Sequence, residues 1–206
     1  PPSDVLILGS GVVGSNAALI AIGMGASVTV AGNNVDQLRR ISSEFGSRVR
    51  TVFAARSAVE TLCGRADLVI GAVLVPGAAA PKLISAKTVN TMKSGAVIVD
   101  VSIDQGGTAE TSRPTSHSEP TYIVDDIVHY CVTNMPGAVA RTSTFALSNV
   151  TTPFVLALAD KGCAHALMSD PCLRAGLNIH DGQVTHKAVA NAIGKKYVPA
   201  NEALKG

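Results

Sequence analysis

The sequence predicts an α/β protein built on a doubly wound parallel sheet, followed by a helical tail. Three observations predict it. Short, wholly apolar runs recur along the first two thirds of the chain, as strands buried on both faces of a parallel sheet require. Stretches with helical spacing separate those runs, at the rhythm of right-handed strand–helix–strand crossovers. The first run ends on the glycine-rich segment Gly9-Ser10-Gly11-Val12-Val13-Gly14.

Taken in order, Asp4-Val5-Leu6-Ile7-Leu8 is the first strand, and Val12 to Gly25 the first helix, with small and apolar residues at helical spacing. Ser27 to Ala31 is the second strand. Val35 to Phe45 follows as an amphipathic helix, with apolar residues at 35, 38, 41 and 45 and charges between them. Strands are expected at 49–53, 66–70 and 96–100, with helical segments around 56–63 and 85–92 between them. Gly106 to Pro120 is polar and rich in Gly, Thr, Ser and Pro, so it reads as a loop. Thr121–Val124 and Val128–Val132 are expected as late strands at the sheet edge. A long helix runs from about Thr142 towards Lys161-Gly162, and 163–206 carries short helical stretches without a series of strands. The expected division is 1–144 as a dinucleotide-binding domain and 145–206 as a long connecting helix with a partial second segment.

The glycine-rich turn has the context that a G-x-G-x-x-G motif needs to mean dinucleotide binding in a Rossmann-type fold, because a buried strand precedes it and a helix follows. Gly9 permits the tight turn, Gly11 lets the backbone approach a pyrophosphate, and Gly14 lets helix and strand pack closely. Ser10, Val12 and Val13 complete the cradle, where the N–H groups of a helix start face the anion. The alternative is a plain strand-to-helix turn. About 20 positions further on, such sites place an acidic residue on the ribose hydroxyls. Here the strand ends Val30-Ala31-Gly32-Asn33-Asn34, without a carboxylate. Asp36 is expected instead in the first turn of the next helix, where it suits the dipole. The motif therefore indicates a dinucleotide and leaves NAD and NADP both open. Arg39 and Arg40, on the next helix, are either a solvated face or a phosphate clamp. A carboxylate restored at position 32 is expected to favour NADH over NADPH.

Composition narrows the function classes. Among 206 residues, 17 Lys+Arg against 15 Asp+Glu leave a net charge of +2, which gives no electrostatic reason to expect nucleic acid or an anionic membrane as partner. With 47% hydrophobic and 16% charged residues, the chain can bury a large core. No uninterrupted apolar run reaches the ~18 residues of a membrane span. No charged leader region precedes Pro1-Pro2, so no signal peptide is visible. Cys63, Cys131, Cys163 and Cys172 show no metal spacing and read as buried thiols of a reducing compartment, and a cytoplasmic location is expected.

Longer runs are more specific. Val99 to Gly107 (Val-Asp-Val-Ser-Ile-Asp-Gln-Gly-Gly) is followed by Thr111-Ser112-Arg113-Pro114-Thr115. His129 to Val139 (His-Tyr-Cys-Val-Thr-Asn-Met-Pro-Gly-Ala-Val) precedes Arg141-Thr142-Ser143-Thr144. With the glycine turn, Val73-Leu74-Val75-Pro76-Gly77 and Val184 to Ala190, these runs resemble bacterial L-alanine dehydrogenase over nearly the whole chain. The NAD-binding component of nicotinamide nucleotide transhydrogenase shares the glycine turn and is less similar through Asn134–Thr144.

The resemblance implies conversion of L-alanine, water and NAD to pyruvate, ammonium and NADH, in a cleft between a Rossmann domain and a substrate domain. It makes Asp104 the acid/base carboxylate beside the nicotinamide, and Asn134 and Met135 part of the nicotinamide pocket. It counts Val73, Leu74, Val101 and Ile103, with Gly32 and Asn33, among the cofactor-binding residues. Asp104 also has a plainer reading, as a loop-capping aspartate above Gly106-Gly107, and Asn134-Met135 reads equally as an Asx turn with a core methionine. The adenosine side departs from the family: its ribose aspartate is Gly32 here, a lysine soon after is Gln37, an adenine-side serine is Ala54, and Pro-Gly-Ala-Lys-Ala-Pro is Pro76 to Pro81 with alanine for lysine. The family's pyruvate-holding lysine, histidine and arginine lie in an N-terminal half that has no counterpart here, and His117, His129, His165, His180 and His186 match none of them. Catalysis, with L-alanine or pyruvate as partner, is therefore expected only with that half present. The alternative is a non-catalytic dinucleotide-binding or structural subunit of a larger assembly. The family further implies a homo-oligomer, a hexamer, joined partly through the long helix.

Overall fold

The computed structural model describes residues 1–205. Residues group into two compact units, one of Pro1–Val75 with Ala79–Met135, the other of Pro76–Ala78 with the chain from Pro136 onward.

The first unit is a seven-stranded, mostly parallel sheet. Its strands are β1 (Asp4–Leu8), β2 (Ser27–Gly32), β3 (Val49–Phe53), β4 (Leu68–Gly71), β5 (Val97–Asp100), β6 (Thr121–Val124) and β7 (Ile127–Tyr130), in the order β3-β2-β1-β4-β5-β7-β6. Only β6 runs antiparallel, paired with β7 at the edge expected for the late strands. Helices α1 (Val12–Gly23), α2 (Val35–Phe45), α3 (Arg56–Cys63) and α4 (Ala86–Val89) fill the connections.

Alternation along β1 shows why the sheet is covered twice. Val5 and Ile7 pack with Ala18 of α1 and with Leu38, Ile41 and Phe45 of α2. Leu6 and Leu8 pack on the opposite face with Val59 and Cys63 of α3 and Val89 of α4. A strand with two buried faces favours apolar side chains throughout, hence the near-continuous apolar runs. Asn34 caps α2 by accepting from the Gln37 amide at 3.0 Å, and Asp36 stands in the first turn as expected. The Gly106–Pro120 stretch is irregular, as its composition predicts.

The second unit holds α5 (Ala140–Lys161), α6 (Cys163–Ser169), α7 (Pro171–Ala175), α8 (Lys187–Ala192) and α9 (Ala200–Ala203). It adds a hairpin of β8 (Ile179–His180) and β9 (Gln183–Val184) that the sequence reading did not anticipate. Asp181 and Gly182, both at positive φ, form its turn. The cysteines need a correction. All four are free, but only Cys63 and Cys131 are buried, because Cys163 and Cys172 lie on helices whose faces are open. Among the described residues, no helix is long and apolar enough to cross a membrane.

Candidate functional site

Every residue singled out for the site lies in or directly after the C-terminal end of a parallel strand. Gly9 to Gly14 follow β1, Gly32 ends β2 and Asn33 follows it, Val73 and Leu74 follow β4, Val101, Ile103 and Asp104 follow β5, and Asn134 and Met135 follow β7. The chain winds outward from β1 through β2 to β3, then returns to lay β4 on the other flank of β1. That reversal opens a crevice above the β1–β4 junction, where ligands of open α/β sheets bind.

A cavity of about 460 Å³ occupies the crevice. Gly9, Ser10, Gly11, Val12, Val13, Gly32, Asn33, Val73 and Leu74 line it, together with Gln37 and Ala54. None of its lining side chains is charged. Gly14 lies beneath, buried in the first turn of α1.

The three glycines of the turn differ in what would meet a side chain. Gly9 has φ of 121°, and a Cβ there would strike the Ala72 carbonyl oxygen. A Cβ on Gly14 would strike the Gly9 carbonyl oxygen, so the helix can cross the strand this closely only without one. At Gly11 the backbone is extended, φ −79° and ψ −164°, and a Cβ would meet no atom within 4 Å. The chain's own packing requires glycine at 9 and 14 but not at 11. Gly11 is also the N-cap of α1, whose first turn has neither a side-chain cap nor an acidic residue. Those helix N–H groups are a ready seat for an anion.

At the β2 end of the cavity, Ser10 Oγ donates to Gln37 Oε1 at 2.8 Å. A Cβ on Gly32 would fall 2.6 Å from Ser10 Oγ and 2.9 Å from Ser10 Cβ. A carboxylate at position 32, expected to favour NADH, would crowd Ser10, and the turn or its side chain would have to shift to admit it. Arg39 pairs with Asp36 at 3.5 Å on the exposed surface of α2 and does not line the cavity.

Asp104, Val101, Ile103, Asn134 and Met135 do not line this cavity. They lie further along the same sheet edge, past β5 and β7. Asp104 is exposed, in a 3-10 turn over Val101–Gln105, and its carboxylate makes no hydrogen bond among the described residues. Ile103 is buried, and the Asn134 carbonyl accepts from His117 Nε2 at 2.7 Å.

The loop-fixing carboxylate is Asp100, which the sequence reading passed over. Fully buried, it accepts through Oδ2 from the Thr108 amide at 2.7 Å, the Ala109 amide at 3.3 Å and Ser112 Oγ at 2.6 Å. Ser102 Oγ donates to the Val73 carbonyl at 2.7 Å and ties the turn after β5 to the segment after β4. The signal was available: a carboxylate closing a doubly buried strand must find donors in the loop that follows. His129 is also buried, donating from Nδ1 to the Ile127 carbonyl and accepting at Nε2 from Thr111 Oγ1. Burial holds its pKa below the ordinary 6.5.

The model of the family described as "Alanine dehydrogenase/PNT, C-terminal domain" matches residues 1–187. This chain belongs to that family. Within it, the chain is 57% identical over 199 residues to an alanine dehydrogenase of Halomonas elongata, covering 97% of this chain and 54% of that protein. It is 50% identical to the alanine dehydrogenase of Bacillus subtilis, covering 98% and 53%. The chain spans about half the length of the curated relatives it matches. A solved L-alanine dehydrogenase superposes with a TM-score of 0.85 at 49% identity, over 94% of this chain and 53% of that one. A transhydrogenase from Sinorhizobium meliloti shares the fold, with a TM-score of 0.72 at 23% identity over 91% and 51%. The seven-stranded unit of this alanine dehydrogenase/PNT C-terminal domain is thus a Rossmann-type NAD(P)-binding fold.

Proposed function

We propose that this chain binds a nicotinamide dinucleotide across the C-terminal ends of β1–β4. On this reading it supplies the cofactor-binding half of an NAD-linked L-alanine dehydrogenase, which interconverts L-alanine with pyruvate and ammonium. The observation that carries the reading is Gly11. Glycine at 9 and 14 answers to the protein's own atoms, whereas no atom of the chain and no backbone strain calls for glycine at 11, which stands at the cavity wall. An uncapped helix start and a neutral cavity beside it suit a diphosphate flanked by two nucleosides. The volume lies within the range of cofactor clefts.

The residues present hold the diphosphate at the backbone of Gly9 to Val13 and the nicotinamide side near Val73, Leu74, Val101, Ile103, Asn134 and Met135. A bound nicotinamide supplies the hydride acceptor. Asp104, exposed in the turn after β5, takes and returns the proton at its carboxylate. NAD is preferred to NADP, because the cavity offers no cation to a 2′-phosphate. Residues 145–206 are read as the long connecting helix and a returning part of the substrate domain. The rest of that domain belongs to the N-terminal half of the relatives, so this chain alone binds without turning over. A homo-oligomer, a hexamer in the cytoplasm, follows from the same kinship. The neutral adenosine end favours a second reading, a non-catalytic dinucleotide-binding subunit.

Titration with NADH and NADPH, followed by nicotinamide fluorescence, tests the binding claim. Saturable binding with NADH the tighter ligand is expected; no signal with either rejects it. Gly11→Ala should keep the fold, with a Tm within about 3 °C of the parent, and weaken NADH at least about tenfold. Gly9→Ala and Gly14→Ala should instead lower the Tm by about 5 °C or more, since each forces backbone apart. Adding NAD, L-alanine and a separately expressed N-terminal half then separates the two readings, with NADH formation expected for the enzyme.

A further inference from the structure

We propose that Ser10, held by Gln37, is the seat of the adenosine ribose, and that Gly32 is glycine because Ser10 occupies its side-chain space. Positions 10 and 32 then set cofactor choice as one coupled pair. The proposal rests on the dinucleotide reading above.

Backbone conformation gives no reason for glycine at the end of β2, since Gly32 is not at positive φ. Its carbonyl accepts from the Ala54 amide at 2.9 Å, an ordinary strand bond. The crowding comes from Ser10, whose Oγ and Cβ would lie 2.6 and 2.9 Å from a Cβ at position 32, with Leu38 Cδ2 behind at 3.4 Å. Oγ can rotate away, but Cβ is fixed to the backbone of the glycine-rich turn. A side chain at 32 therefore needs Ser10 Oγ to rotate and the turn to move back, and here the space is filled from the turn.

That side chain is also polarised. Ser10 is only 7% exposed, yet it lines the cavity, and its one hydroxyl proton is committed to Gln37 Oε1 at 2.8 Å. Its free lone pairs can only accept. Gln37, fixed by its backbone bond to the Asn34 cap, adds an amide donor at the same cavity wall. A neutral acceptor beside a neutral donor matches a free vicinal diol. The pair takes over the place of a carboxylate at the end of β2, with weaker discrimination against a 2′-phosphate, since no negative charge repels it.

The test is a double-mutant cycle on the whole chain: Ser10→Gly, Gly32→Asp and both together, each followed by Tm and by NADH and NADPH titration. Gly32→Asp alone should lower the Tm by about 3 °C or more and weaken both ligands. Adding Ser10→Gly should restore the Tm and raise the NADH-over-NADPH preference at least about tenfold above the parent's. Ser10→Gly alone should weaken NADH about fivefold, the loss of one hydrogen bond. Equal Tm values for Gly32→Asp and the double variant would overturn the coupling. If the parent binds NADH and Ser10→Gly leaves its Kd unchanged, the ribose seat is overturned while the dinucleotide reading survives. If the parent binds neither ligand, that reading fails and the seat with it.

Discussion

Two aspartates four positions apart sit in opposite surroundings in this chain. Asp100 is sealed from solvent and gathers the Thr108 and Ala109 amides and the Ser112 hydroxyl onto one oxygen, whereas Asp104 stands exposed, without a partner among the described residues. Asp100→Ala strands two buried N–H groups and a hydroxyl beside a small void, so a loss of about 2–4 kcal/mol is expected in urea unfolding. Asp104→Ala should stay within about 0.5 kcal/mol of the parent in the same measurement, while abolishing turnover once the N-terminal half is supplied. The sequence reading singled out Asp104 through its resemblance and overlooked Asp100, whose strand-end position marks it but whose donors at 108, 109 and 112 only the packing of the loop identifies. Gly32 was legible as a missing acceptor. The reason, a serine 22 positions earlier in the turn, depends on the register of β1 beside β2.

At the scale of elements, edge and centre behave differently. In β7, His129 is fully buried, and its ring stacks on Tyr122 of β6 at a centroid distance of 5.0 Å. Desolvation depresses its pKa; the bond to the Ile127 carbonyl and the nearby Asp100 charge oppose this, and Arg113 adds to it. The folded state therefore binds fewer protons than the unfolded chain below pH 6.5. Stability from this group is complete above that pH and falls as pH drops through it towards the folded-state pKa. Urea midpoints at neutral pH and about one unit below 6.5 should show the decline, and His129→Gln should flatten it. Helix α2 was legible from the periodicity of its one buried face, and the central strands from apolar runs buried on both. The β8–β9 hairpin was not, since two residues per strand carry no periodic signal, although Asp181-Gly182 is a typical two-residue turn. The long helix α5 was legible by length despite Pro153 in its interior. There, the Thr151 and Thr152 hydroxyls donate to the Leu147 and Ser148 carbonyls.

Across the whole molecule, the order of the central sheet follows from alternating strands and helices and the handedness of their crossovers, which is why the fold class could be read from the sequence. What lies on α1 could not. Val12 and Met24 are 76% and 84% exposed, and a pattern apolar on every side does not announce which face lacks a neighbour. The same sheet sets how the first unit opens. Thr108 and Ala109 belong to no strand or helix, yet their amides point at a carboxylate that water cannot reach without dismantling the end of β5. Hydrogen–deuterium exchange should find these two loop protons among the slowest of the unit, leaving only through its complete unfolding. An irregular segment would then keep time with the central strands, and the loop after β5 would already be set before any ligand arrives.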